Sequence, residues 1–191
     1  MIVEPLTPVD GALPGELLTD LAALYASNRE FQQLSGDFPD ADHISPEQVA
    51  TSLADELAHP AAEVLIARAA GRLVAIAVTL APDPAGTDPS PGPGPGPGPW
   101  IGLLMVHADE QRAGYGRELA TVVEDRFRAS GHTTVRVAVP KTNHQALAFW
   151  TALGYAQLAE QEDQKSGRPC RILGKRLTKD GDANGNGDGD A

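Results

Sequence analysis

The sequence predicts an α/β (α+β) domain built on one mixed sheet, with elements in the order β-α-α-β-β-β-α-β-α-β-β. Three observations carry this prediction. Before residue 58, two stretches repeat apolar residues three and four apart; after it come several short β-branched runs; two of those runs lead into further helical stretches. At 191 residues the chain suits a single domain, and two would each be small.

"IVEPL" reads as a short opening strand. "GELLTDLAALYASNREFQQL" follows, with Leu17, Leu18, Leu21, Leu24 and Tyr25 on one helical face. "SGDFPDADHI" is a polar loop, after which Ser45 reads as an N-cap, Pro46 as the first helical residue and Gln48 as the partner in a capping box. Val49, Leu53 and Leu57 give this second helix its buried stripe, and Pro60 lies past its end. "AEVLIARAAGRLVAIAVTLA" predicts a β-hairpin turning near Gly71.

Residues 82–99, with alternating Pro and Gly, come next. The stretches on either side hold too few strands to pair their own edges, so the segment reads as a loop inside one sheet; a linker between two units is the alternative. "PWIGLLMVH" is a strand, and "GYGRELATVVEDRFRASG" places Leu119, Val122, Val123 and Phe127 on one helical face, with Gly131 as its stop. "TTVRVAV" is a strand, "NHQALAFWTALG" a short helix ended by Gly154, and "YAQLAEQED" and "RPCRILGKRL" are two closing strands. The domain is expected to span 1–178. Residues 179–191 have no apolar side chain larger than Ala and are expected to form a disordered acidic tail.

Composition narrows the function. A net charge of −11 argues against a nucleic-acid binder, which needs a basic face, and is compatible with a cationic or amine-bearing partner or with solubility alone. No apolar run is long enough to span a membrane, and the N-terminus lacks the pattern of a signal peptide. The single cysteine, Cys170, excludes an internal disulfide and fits a reducing compartment, so a cytoplasmic protein is expected. Cys170 is expected in the core, and His132 and His144 at the surface. No metal site is expected: "DANGNGDGD" imitates the start of a calcium loop but lacks the closing Glu and flanking helices.

The chemistry is concentrated in "MVHADEQRAGYGREL", which joins a strand to a helix. First-turn N–H groups and the positive end of the helix dipole together bind anions, and Gly114 and Gly116 would let a phosphate approach the backbone. A GxG turn also occurs wherever a strand meets a helix tightly, so taken alone it leaves both readings open.

Taken with "NHQALAFWTALGY", the stretch resembles the GNAT superfamily of acetyl-CoA-dependent N-acetyltransferases. Gln111, Gly114 and Gly116 match its glycine motif, and Asn143, Ala146, Phe149, Trp150, Gly154 and Tyr155 match its later signature. The resemblance implies a mostly antiparallel sheet splayed between the fourth and fifth strands, with acetyl-CoA as acyl-donor cosubstrate in the gap. Leu104, Met105 and Val106 would bond the pantetheine arm as an added strand would. The amides of Gln111, Arg112, Ala113, Gly114, Tyr115, Gly116 and Arg117 would hold the pyrophosphate, Asn143 would reach the coenzyme from the far side, and Phe149 would pack near it.

The implied reaction is direct attack by a primary amine of a small molecule, amino acid or peptide N-terminus, with a backbone N–H near Val106 stabilising the oxyanion. Family members commonly carry a Glu on the fourth strand as base, but Trp100 and Gly102 occupy that stretch here. His107 is the nearest titratable candidate, with Glu110 a weaker one. The family's general acid, a Tyr, is replaced by Trp150, which leaves the acid unassigned. On the acceptor side, the resemblance points to the first two helices and their loop, where Asp37, Phe38, Asp40, Asp42 and His43 suit a cation but also any exposed loop. The rival reading is a non-catalytic acyl-CoA-binding module of the same fold. The oligomeric state is open, a homodimer being one option.

Overall fold

The computed structural model describes residues 1–8, 11–81, 98–163 and 167–177. Most of the Pro/Gly segment (82–97) and the acidic tail with its calcium-loop imitation (179–191) lie outside the described residues. The elements are β1 (Ile2–Pro5), α1 (Gly15–Ser27), α2 (Arg29–Ser35), α3 (Pro46–Leu57), β2 (Ala62–Ala69), β3 (Arg72–Leu80), β4 (Trp100–Val106), a 3₁₀ turn (Ala108–Glu110), α4 (Tyr115–Ala129), β5 (Thr134–Pro140), α5 (His144–Ala152), β6 (Ala156–Glu162) and β7 (Pro169–Arg176). The strands form one sheet in the order β1-β2-β3-β4-β5-β7-β6.

All neighbours in the sheet run antiparallel except β4 and β5, which are parallel and pair only at Trp100–Arg136 and Ile101–Val137. The two strands then diverge, and residues 102–106 have no partner on β5. The mixed, splayed sheet is the one expected.

Each face of the sheet carries its own core. Leu65, Ala67, Ala75, Ala77 and Ile101 pack with Leu119, Val123 and Phe127 of α4 and Trp150 of α5. Val64, Ile66, Ile76, Val78 and Met105 pack with Leu21 and Leu24 of α1 and Val49 and Leu53 of α3. β2 and β3 are therefore covered on both sides, which is why they read as nearly continuous apolar runs. Two bulges shift the alternation. The register slips between Ala67 and Arg68, and again on β4, where Val78 faces Leu103 but Thr79 faces Ile101. Gly102 is the extra residue, so Ile101 and Leu103 lie on opposite faces rather than the same one. Beyond the bulge, Leu104 and Val106 turn to the α4–α5 face and Met105 to the α1–α3 face.

Several local expectations are met. Ser45 and Gln48 form the capping box ahead of α3. Gly131 (φ +88°) and Gly154 (φ +88°) take the left-handed conformation after α4 and α5. Cys170 is buried in β7, where desolvation raises its thiol pKa.

Two expectations are corrected. The first predicted helix is two helices, broken at Asn28 (φ −102°, ψ 48°), because the Asn28 side chain bonds groups outside the helix. His132 is buried, not exposed: it stands edge-on to Phe127 with ring centroids 5.9 Å apart.

Candidate active site

The splay creates a cleft of about 600 Å³. Its floor is the free edge of β4 at Leu104, Met105 and Val106. Gln111, Arg112, Gly114, Gly116 and Arg117 line it from the turn before α4, while Asn143, Phe149 and Trp150 line it from the start and middle of α5. These residues are far apart in sequence, and the divergence of β4 from β5 brings them together.

The turn before α4 is tightly curled. Arg112 (φ +65°) and Gly114 (φ +93°) both hold left-handed backbone directly ahead of the α4 N-terminus. A non-glycine residue at positive φ costs about 1–2 kcal/mol, so Arg112 carries strain in the turn. Nothing lies within 4 Å of where a Cβ on Gly114 would sit, so the backbone there is open to a ligand.

Gly116 has a different role. A Cβ there would meet the Phe149 ring at 3.3 Å and Val106 at 3.5 Å, so this glycine lets α4 approach the wall of the cleft. Asn143 caps α5, its Oδ1 accepting from the Ala146 N–H at 3.0 Å.

Gln111 does more than its motif position showed. Its Nε2 donates to Asn28 Oδ1 (2.9 Å) and to the Val106 carbonyl (3.3 Å), and its Oε1 accepts from Gln145 of α5 (3.3 Å). Asn28 Nδ2 also donates to the Val106 carbonyl, at 3.1 Å, and Ser27 Oγ accepts from the Ala108 N–H at 3.0 Å. The α1–α2 junction thus clasps the end of β4 where the strand has lost β5. Val106 is half-buried, and the clasp gives its carbonyl two side-chain donors where β5 no longer pairs.

The remaining sequence candidates lie elsewhere. Ala113 and Tyr115 belong to the turn but not to the cleft lining. His107 also lies outside the lining; its Nδ1 accepts from the Asp109 N–H at 3.3 Å and caps the 3₁₀ turn. Glu110 is held by Arg72 at 2.8 Å. None of Asp37, Phe38, Asp40, Asp42 and His43 lines the cleft. Phe38 packs edge-on against Tyr25, Asp40 accepts from His43, and Asp42 is paired with Arg29.

Reading the sequence missed the residues α2 contributes, Glu30, Phe31 and Leu34, because the first helix was read as unbroken. Ser-Asn in mid-helix was the available signal, since both side chains compete with the helix for backbone bonds.

Trp150 is pocket wall and core together, stacked edge-on with Phe149 (5.0 Å) and Tyr155 (4.8 Å). Tyr155 is turned into the core, where its hydroxyl donates to the buried Glu124 at 3.0 Å and Lys175 holds the other carboxylate oxygen at 2.7 Å. Burial, and then the Glu124 charge, push the Tyr155 phenol well above its ordinary range. It is not a proton donor to the cleft.

Residues 24–155 match the family model described as the acetyltransferase (GNAT) family. The chain belongs to the GNAT acetyltransferase family. GNAT folds also surround it structurally. A ribosomal-protein-S18-alanine N-acetyltransferase from Escherichia coli is 16% identical, with a TM-score of 0.60 over 95% of this chain and 97% of that one. An acetyltransferase from Thermus thermophilus is 16% identical, with a TM-score of 0.64 over 92% and 97%. A probable acetyltransferase from Staphylococcus epidermidis is 14% identical, with a TM-score of 0.63 over 93% and 99%. At these identities the likeness is one of fold. No curated protein matches. GNAT acetyltransferases generally take acetyl-CoA and an amine-bearing acceptor. Among the described residues, no helix is long and apolar enough to cross a membrane.

Proposed function

We propose that this GNAT acetyltransferase moves an acetyl group from acetyl-CoA to a primary amine of a small molecule, amino acid or peptide N-terminus. The observation that carries the reading is the free edge of β4 ending beside the open, positive-φ turn at Gly114. Leu104, Met105 and the N–H of Val106, whose carbonyl is held by Asn28 and Gln111, offer backbone groups to the amides of a pantetheine arm, while the first-turn amides of α4 with Arg112 and Arg117 would face its phosphates. Asn143 and Phe149 close the cleft from α5. When bound, the thioester supplies an activated acetyl carbon: the amine nitrogen attacks it, the C–S bond breaks, the thiolate departs, and the amine's proton passes to a base or to solvent.

Calorimetric titration with CoA tests the reading. Binding in the micromolar to millimolar range is expected, with a melting temperature that rises with CoA concentration. No heat at saturating CoA rejects it. We propose further that 1–178 is one unit with 82–99 as a loop, since β3 and β4, which the segment joins, are neighbours in the sheet. The same titration on a chain with residues 89–98 replaced by a short Gly/Ser loop should give nearly the same affinity.

His107 is the candidate base on β4's own continuation. With Nδ1 accepting from the Asp109 N–H, the neutral ring carries its hydrogen on Nε2, so Nδ1 would have to give up that bond to take the amine proton. In that role, kcat/KM rises with pH in a one-proton step, and His107→Ala lowers kcat/KM about 10²-fold with CoA affinity unchanged. A variant with full activity and the parent pH profile takes His107 out of the chemistry and leaves deprotonation to solvent. The non-catalytic acyl-CoA-binding module is the second reading, favoured by the absence of a Glu from β4 and by Trp150 in the Tyr position. CoA binding without thiol release on any amine would establish it.

A further inference from the structure

The cleft is lined from both faces of the sheet. Phe149, Ala146, Leu104 and Val106 belong to the α4–α5 side, whereas Phe31 and Met105 belong to the α1–α3 side. The charges divide in the same way. Arg112 and Arg117 flank the start of α4, and Glu30 on α2 is the one carboxylate among the described lining residues. Glu30 is solvent-exposed, and neighbouring Phe31 and Leu34, at the next position and one turn on, line the same wall with Met105. Arg29, the other charge at this end of α2, is taken by Asp42, so it does not neutralise Glu30.

α2 presents this wall because of the break at Asn28. The Asn28 side chain is anchored to the Val106 carbonyl and to Gln111, which fixes the start of α2 against the end of β4. Glu30 follows two residues later.

We propose that Glu30, Phe31, Leu34 and Met105 form the acceptor subsite, and that it selects a primary amine attached to an apolar aryl or alkyl group. The inference rests on the acetyl-CoA reading of the cleft. A single carboxylate satisfies a single ammonium. The apolar side chains beside it gain by covering hydrocarbon and lose by desolvating a second charge. A polyamine or a lysine-rich peptide would bring extra cations to a wall whose described residues hold no further carboxylate to receive them. Glu30 here binds and orients the acceptor, and the transfer step is the one already described.

The test measures thiol release from acetyl-CoA with 2-phenylethylamine, hexylamine, spermidine and a lysine-rich peptide, alongside CoA calorimetry on each variant. The two apolar amines are expected to exceed the polycations in kcat/KM by about tenfold or more. Glu30→Gln should raise KM for 2-phenylethylamine about tenfold, with kcat and CoA affinity nearly unchanged, because it removes the charge and keeps the shape. Glu30→Asp should recover part of the loss. Equal kcat/KM across the panel overturns the proposal, as does an unchanged KM in Glu30→Gln. So does firm CoA binding with none of the four amines acetylated. If CoA itself fails to bind, the cleft assignment falls first and this inference with it.

Discussion

Gly114→Asp is expected to weaken CoA binding by at least about a hundredfold, enough to abolish it in an ordinary titration. Two effects combine. The residue holds φ +93°, where an L side chain costs about 1–2 kcal/mol, and the new carboxylate would stand at the first turn of α4, where we propose the pyrophosphate binds. The free protein should still fold, since no atom lies within 4 Å of the added Cβ. Gly114→Asn separates the two effects: Asn tolerates left-handed backbone and has nearly the same size, so it should keep most of the affinity. Asp and Asn variants with equal affinity would show that no phosphate sits at this turn.

Glu124→Ala should lower stability by about 2–3 kcal/mol and the melting temperature by roughly 5–10 °C. The substitution removes a buried carboxylate that accepts from both Tyr155 and Lys175, and it leaves the Tyr155 hydroxyl in the core without that partner. The three residues tie α4, the chain after α5 and β7 together behind the cleft. Glu124→Gln keeps an acceptor for Tyr155 and should lose less. Thermal unfolding of both variants decides the matter; a melting temperature within about 2 °C of the parent for Glu124→Ala would mean that the network contributes no stability.

The strands and most helices were legible because each has a local signature. The capping box at Ser45 and the hairpin turn at Gly71 are written in a few neighbouring residues. The turn before α4 was legible for the same reason, as a short motif between a strand and a helix. What stayed hidden depends on contacts across many residues. Asn28 breaks a helix by bonding Val106, 78 positions away, and nothing in the local periodicity weighs that bond against helix continuation. The bulge at Gly102 likewise shows only against β3, yet it decides which face Leu103 and Met105 take. His132 was misplaced because imidazole reads as polar, although its ring is half apolar surface and packs well on Phe127.

The opening between β4 and β5 passes through the sheet instead of lying on one side of it, and this bears on the order of events in turnover. A donor lodged against α4 and α5 leaves the α2 side accessible, so an acceptor can arrive while the donor is resident. Neither molecule must depart to admit the other. If the cleft takes donor and acceptor as proposed, turnover is expected to run through a ternary complex, with initial-rate lines that intersect in a double-reciprocal plot.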